Sequence, residues 1–402
     1  MDVSAPRLDY TGTIPPFGYH QFHRDVSLNF DCNRWAELIG PEAIGEITQL
    51  AARANTYPEW IDGYLGLAEQ ARAAGRPFEA GIYDRAAEFF MTADDPRRSG
   101  ARARFLQTMR ATYDVAPEYI PFGTGALPAY DLRPQRQIGP TTVMFGGFDS
   151  YIEEFLPIMA AMVDGGRRVV AFEGPGQGSA FEDYRLPLIA EWERPVAAVL
   201  DHYCLDDVTA VGISMGGALV IRAAAYEPRI TRAVAYDVMD DMLGTVAGLL
   251  GPGRDLMLRA LLAIRARRIV NAVAGRAVSR QPVAEWGMQQ GMRITGTTTP
   301  YDFLQSIAAI STRGVSQRVT ADVLLLAGAD DHFIPLTVLW RQAAALTHAR
   351  SLTTRVFTAD EQASNHCQIG NCGAAAAVID DWLNQTTTLQ RTSNPTVLGT
   401  SR

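Results

Sequence analysis

The chain has 402 residues, 47% of them apolar, with a formal net charge of −8, which is enough to bury one large core or two smaller ones. The acidity is spread along the chain and no basic run could track phosphates, so nucleic-acid partners are excluded. All 36 basic residues are arginine, and without lysine a Schiff base, a Ser-Lys dyad and a Walker-type phosphate lysine are excluded too.

Met1 to Tyr10 lacks a charged stretch followed by an apolar one, and every apolar run breaks well before the roughly 20 residues that a membrane span requires. Cys32, Cys204, Cys367 and Cys372 show no metal-like spacing. The expectation is a cytoplasmic protein with reduced thiols and no membrane partner, with a homodimer as the oligomeric state to test. An N-terminal arm leads into a helical unit, together residues 1–115. Trp35, Leu38, Ile39, Ile44, Ile47, Leu50, Trp60, Ile61, Tyr64 and Leu65 recur at three- and four-residue spacing. Further helices are predicted over Phe78 to Met91 and after Asp94-Asp95-Pro96, where acidic residues and a proline mark a helix start.

From about Tyr119 the period changes. Short extended stretches follow at Tyr119 to Phe122, Leu127 to Leu132, Thr141 to Phe145, Arg168 to Phe172, Val208 to Ile213, Ala233 to Tyr236, Val323 to Ala327 and Leu352 to Phe357. Several are continuous apolar runs of the kind buried on both faces of a parallel sheet. Helices are predicted between them, at Glu153 to Val163, Leu186 to Tyr203, Ala218 to Tyr226, Leu336 to Leu346 and Ala374 to Asn384. Residues 116–388 therefore read as a doubly wound, mostly parallel α/β core. Its alternation lapses at about 239–314, where two helical stretches are expected to form a lid. Residues 389–402, rich in Thr and Ser, are expected to be a disordered tail.

The chemistry centres on Val211-Gly212-Ile213-Ser214-Met215-Gly216-Gly217, an apolar strand ending in Gly-x-Ser-x-Gly and opening onto an apolar helix. Such a turn raises a serine hydroxyl above a sheet, where a base can reach it. His366, after the last strand, is the candidate base, and a surface or capping histidine is the duller alternative. The turn Gly328-Ala329-Asp330-Asp331 offers the carboxylate. The position three residues past the glycine selects Asp331 over Asp330. An oxyanion hole needs two amides, expected from Met215 and from Phe148 in Gly146-Gly147-Phe148. Asp149 and Gly147 are assigned to the substrate-binding wall, with Asp149 also suited to capping. Ser150 and Glu153 fit a Ser-x-x-Glu capping box. Phe172-Glu173-Gly174-Pro175-Gly176-Gln177-Gly178 lacks the fingerprint spacing of a phosphate loop and the helix behind it, so it reads as a tight turn in the pocket floor. His20-x-x-His23 is not read as a metal pair, for want of further ligands. Arg265, Arg267 and Arg268 fit the solvated face of a lid helix. No motif calls for a cofactor or metal.

Together Gly146 to Ser150, Phe172 to Gly178, Gly212 to Gly217, Asp331 to Pro335 and Asn365 to Asn371 resemble a branch of the α/β-hydrolases. This is the group containing 2,6-dihydroxypseudooxynicotine hydrolase and the fungal heptaketide-shortening hydrolase, and the likeness spans about Asn33 to Asn384. The resemblance implies an α/β-hydrolase fold with an N-terminal helical domain and a helical lid, and a Ser214-His366-Asp331 triad. It also implies cleavage of a C–C bond next to a carbonyl in a small-molecule, polyketide-like secondary metabolite. The nicotine-pathway relative carries a glutamate where this chain has Asp149, which suggests a substrate of different size. Ester, thioester or amide cleavage, a lyase or cyclase reaction, and a non-catalytic binding role on the same scaffold remain alternatives.

Overall fold

Residues 14–249, 253–278 and 282–393 are described by a computed structural model. Five helices come first: α1 (Val26–Ile39), α2 (Glu42–Ala51), α3 (Tyr57–Ala73), α4 (Pro77–Phe90) and α5 (Arg98–Tyr113). Local chemistry sets several of their ends. The Asp25 side chain accepts the Ser27 and Leu28 amides at the start of α1, and Thr56 with Glu59 forms a capping box at the start of α3.

Eight strands follow: β1 (Glu118–Phe122), β2 (Gly125–Leu132), β3 (Thr141–Phe145), β4 (Val169–Phe172), β5 (Val208–Ile213), β6 (Ile230–Tyr236), β7 (Asp322–Gly328) and β8 (Ser351–Phe357). They form one sheet in the order β1-β2-β4-β3-β5-β6-β7-β8. β1 and β2 pair antiparallel, β2 joins β4 antiparallel, and every other pairing is parallel. Every residue of β3, β4, β5 and β7 is buried. These continuous apolar runs are what a parallel sheet covered on both faces demands.

The crossovers are α6 (Leu156–Asp164), α7 (Gly178–Tyr184), α8 (Glu193–His202) and α9 (Gly216–Tyr226). Between β6 and β7 the chain runs through α10 (Met242–Leu249), α11 (Arg254–Ala263), α12 (Arg267–Val278), α13 (Pro282–Thr295) and α14 (Pro300–Ile307). Among the described residues the lid thus contains five helices where periodicity predicts two stretches, with Gly253, Arg265 and Gly296 in the left-handed region between them. α15 (Thr337–Ala345) and α16 (Cys372–Ser393) complete the fold. α16 continues past residue 389, where the tail was expected to begin, and residues 394–402 lie outside the described residues. No described helix is long and apolar enough to cross a membrane.

Chain order along the sheet fixes where a site belongs. β3 is flanked by β4 on one side and β5 on the other, so the crossovers leaving β3 and β4 run in opposite directions. A crevice opens outside the carboxyl ends of the strands at such a reversal. Gly147 and Ser214 lie there.

Candidate active site

Ser214 sits at the turn between β5 and α9 with φ 60°, the left-handed region that a non-glycine residue adopts only when its surroundings hold it. Three glycines make the turn feasible. A Cβ on Gly212 would lie 2.0 Å from the Gly216 carbonyl oxygen, one on Gly216 2.7 Å from that of Gly146, and one on Gly217 1.9 Å from that of Asp237. The Ser214 amide donates to the Tyr236 carbonyl at 2.6 Å, and the Gly217 amide to that of Ser214 at 2.8 Å, which locks the elbow against β6.

The three side chains named from spacing meet. Ser214 Oγ lies 2.8 Å from His366 Nε2, and Asp331 Oδ2 lies 2.7 Å from His366 Nδ1. Asp331 Oδ1 accepts the Phe333 and Ile334 amides at 2.7 and 2.9 Å, which orients the carboxylate. Asp330 is exposed and contributes only its amide, to the Ser364 carbonyl at 2.8 Å. Burial would lower the His366 pKa, but the Asp331 charge outweighs it and holds His366 well above its ordinary value. Burial would raise Asp331, and the His366 charge with the two amides holds it below the usual carboxylate range. His332, beside it, is pushed down to about 4 by burial.

Gly147 packs against the elbow: a Cβ there would lie 2.9 Å from Ser214 Cβ and 3.1 Å from the Met215 nitrogen. Only glycine admits this approach, and it brings the Gly147-Phe148 backbone beside Met215. Among the described residues neither the Phe148 nor the Met215 amide donates to a protein acceptor. Asp149 lines the same cavity, with one carboxylate oxygen 3.2 Å from Arg34 Nη1 and its carbonyl accepting Arg85 Nη2 at 2.6 Å.

Two sequence expectations are corrected. Ser150 and Glu153 do not form a capping box: Ser150 Oγ faces the Gly147 amide at 3.5 Å, and Glu153 accepts the Tyr130 hydroxyl at 2.5 Å and Arg110 at 2.9 Å. Glu154 takes the capping position instead, accepting the Tyr151 amide at 2.9 Å. The Phe172 to Gly178 loop does have a helix behind it, α7. That N-terminus is filled by the Glu173 carboxylate, which accepts the Ser179 amide at 2.5 Å and the Ile152 amide at 3.0 Å. A Cβ on Gly178 would strike this carboxylate at 1.7 Å. The Glu173 side chain therefore occupies the place that an anion would take, and Gln177 carries the loop's link to the site through its bond to the Gly146 carbonyl at 2.6 Å.

Asp237, at the end of β6, is a residue that sequence reasoning missed, although an acid at the carboxyl end of a parallel strand is a signal in itself. It is 1% exposed, 3.5 Å from His366 Nδ1, and accepts the Cys367 amide at 2.8 Å and Gln368 Nε2 at 3.0 Å. Burial and the Asp331 charge push it up to about 7. Asp237, His366 and Cys367 could in composition hold a metal ion, but both His366 nitrogens already face Ser214 and Asp331. His20 and His23 bond within the arm, to the Phe17 carbonyl and the Asp25 amide, and do not form a pair.

Above Ser214 lies a cavity of about 660 Å³, lined by Phe30, Phe89, Phe148, Trp286 and several methionines, with His366 and Ser214 at its floor. Its roof comes from the lid and its side wall from α1 and α4. Residues 142–362 match the family model for the α/β-hydrolase fold. The chain belongs to the α/β-hydrolase fold family. It is 27% identical to Hydrolase LUC6 of a Fusarium species, over 78% of this chain and 84% of that protein. It is 28% identical to 20-hydroxy-prefusarin hydrolase FUS2 of Gibberella moniliformis, over 72% and 78%. It is 26% identical to 2,6-dihydropseudooxynicotine hydrolase of Paenarthrobacter nicotinovorans, over 54% and 62%. The crystal structure of 2,6-dihydroxy-pseudo-oxynicotine hydrolase superimposes with a TM-score of 0.58 at 20% identity, covering 85% of this chain and 92% of that one, which extends the shared fold to the helical unit. The relatives thus include members of the group that its five motifs resemble.

Proposed function

We propose that the chain is a serine hydrolase that cleaves a C–C bond next to a carbonyl in a polyketide-like, 1,3-dicarbonyl or acylphenol substrate. The continuous line of Ser214 Oγ, His366 and Asp331, at 2.8 and 2.7 Å and open to a large apolar cavity, carries this reading. The C–C bond is chosen from the resemblance of the five motifs, and the relatives' names, a 20-hydroxy-prefusarin hydrolase and a 2,6-dihydropseudooxynicotine hydrolase, agree with a small organic substrate.

His366 Nε2 takes the Ser214 proton as the oxygen attacks the carbonyl, and Asp331 stabilises the resulting imidazolium. The tetrahedral oxyanion receives the Phe148 and Met215 amides, both free to donate. Collapse restores the carbonyl and breaks the C–C bond, and its electron pair leaves as an enolate or phenol-stabilised carbanion that takes the proton from His366. Water, deprotonated by His366, then attacks the acyl-serine; Ser214 recovers its proton and a carboxylic acid leaves. Only a leaving group that delocalises the electron pair can depart at carbon, which sets the substrate class.

Fluorophosphonate probes are expected to label the protein and to lose all labelling in Ser214→Ala. Turnover of a 1,3-diketone in oxygen-labelled water is expected to place label in the released carboxylate. An unlabelled elimination product would replace this reading with a lyase reaction, and folded wild-type protein that resists the probe would replace it with a binding role.

A further inference from the structure

The cavity wall is apolar over most of its area, but polar groups from three separate parts of the chain gather in it: Asp31 and Arg34 on α1, Tyr57 opening α3, and Asp149 after β3. Arg34 is committed, with Nη2 2.6 Å from Glu154 and Nη1 3.2 Å from Asp149. Asp31, one turn before it, is different. Its side chain lines the cavity, and among the described residues it has no hydrogen bond or ion pair. Its neighbour Phe30 packs on Phe333 and His366, with ring centroids 5.6 and 6.0 Å away, so this stretch of α1 passes close to the catalytic imidazole. Asp31 is half-buried and faces the cavity, so its carboxyl, without a protein partner, is free to bond a polar group that enters there.

We propose that Asp31 is a substrate-binding residue whose carboxyl hydrogen-bonds a second carbonyl or hydroxyl oxygen of the substrate while the scissile carbonyl lies at Ser214. The proposal rests on reading this cavity as the substrate site, and it adds a specificity element supplied by the helical unit. Burial pushes Asp31 up to about 8, with the nearby Arg34 opposing and Asp149 adding to the rise; Arg85 and Asp25 act more weakly in the same two senses. Near neutral pH the carboxyl therefore keeps its proton and is a donor, the form that suits a carbonyl or enol oxygen. The two oxygens of a 1,3-dicarbonyl would then be addressed separately, one by the amides beside Ser214 and the other from α1. A hydrocarbon of the same skeleton would fill the apolar wall and leave Asp31 unbonded.

Calorimetric titration of the Ser214→Ala protein, which cannot turn its ligand over, tests this with dibenzoylmethane and, as a control of the same skeleton without oxygens, diphenylpropane. Adding Asp31→Leu should weaken diketone binding about tenfold, the worth of one such hydrogen bond, and leave the hydrocarbon unaffected or tighter. Asp31→Asn, which keeps a donor, should stay within about threefold of the parent. Asp31→Ala makes the same comparison should the leucine variant fail to fold. An unchanged preference for diketone over hydrocarbon in these apolar variants overturns the proposal, as does a Ser214→Ala protein that binds no diketone. Neither readout depends on turnover, so failure of the serine-hydrolase reading shows separately, as absent probe labelling.

Discussion

Two buried carboxyls flank the Nδ1 edge of His366, Asp331 at 2.7 Å and Asp237 at 3.5 Å, and their surroundings drive them apart. Asp331 is held low and stays ionised, whereas Asp237 is pushed up to about 7 and shares its proton with this environment near neutrality. In the proposed reaction His366 must be neutral to accept the Ser214 proton, and its pKa is held well above 6.5. The acidic limb of kcat/KM is therefore expected above that value, with activity rising as pH rises through it. Asp331→Asn removes the charge that holds His366 up, so the limb should move to lower pH while kcat falls by about 10⁴ as the wrong tautomer is favoured. Asp237→Asn should cost far less, because Asp237 lies 3.5 Å from Nδ1 and Asp331, at 2.7 Å, still holds the imidazole. A pH–rate profile of both variants decides this, and a limb that stays put in Asp331→Asn refutes it. The signs for stability follow the same shifts. His366 binds its proton more tightly when folded, so its contribution is complete below 6.5 and is lost as pH rises through the native value. Asp331 releases its proton more readily when folded, so its contribution holds above 3.8 and is lost as pH falls through the native value.

Among the elements, those that hold the histidine loop were the least legible in the sequence. Glu37, on α1, accepts the Gly370 amide at 2.8 Å and the Cys372 amide at 2.9 Å, and the Phe17 and Gly18 amides both donate to the Gly370 carbonyl. The helical unit thus staples the loop that carries His366. Glu37→Ala leaves two amides without their acceptor, at a cost of about 1–3 kcal/mol each. A looser loop should lower kcat more than it raises KM, since substrate still meets the same walls. Unchanged kcat in protein that remains folded would reduce Glu37 to a purely structural tie. The reason for the uneven legibility is physical. Strands such as Val208–Ile213, and the glycine-framed elbow after them, are written in local composition, because each residue's burial and φ demand are set by its immediate neighbours. Glu37 takes its role from the amides of a distant segment and Asp31 from a cavity that distant segments enclose, and nothing within a few residues of either marks it, while Asp237 is marked only by its place at the carboxyl end of a strand. α7 was hidden for a related reason: its opening glycine reads as a breaker until Glu173 is seen filling the space where a side chain would be.

At the scale of the whole molecule, the boundary near residue 115 separates sequence patterns, while the packing runs straight across it. Trp35, Trp60 and Tyr64 of the helical unit belong to one buried cluster with Val169, Val211, Val234 and Leu324 of the sheet and Trp382 of α16. A buried ion network crosses the same seam: Arg85 on α4 reaches Glu88 at 2.5 Å and Glu154 at 2.8 Å, with side-chain exposures of 1 to 3%, and Arg34 joins at Glu154. Lid helix α13 adds a third tie, with the Trp286 ring stacked on Phe89 at 4.4 Å and its Nε1 donating to the Phe89 carbonyl at 2.7 Å. A core shared in this way cannot melt on one side alone, because exposing the helical unit would strip one face of the sheet. Equilibrium denaturation is therefore expected to show one transition by both tryptophan fluorescence and far-UV circular dichroism. Arg85→Met should move that transition to lower denaturant by about 1.5–3 kcal/mol, since each carboxylate loses a charged hydrogen bond while Glu154 keeps Arg34 and Glu88 keeps Arg98, and should not split it. Two separated transitions in the parent protein, or a split in the variant, would mean that the helical unit folds as an independent body and only rests on the sheet.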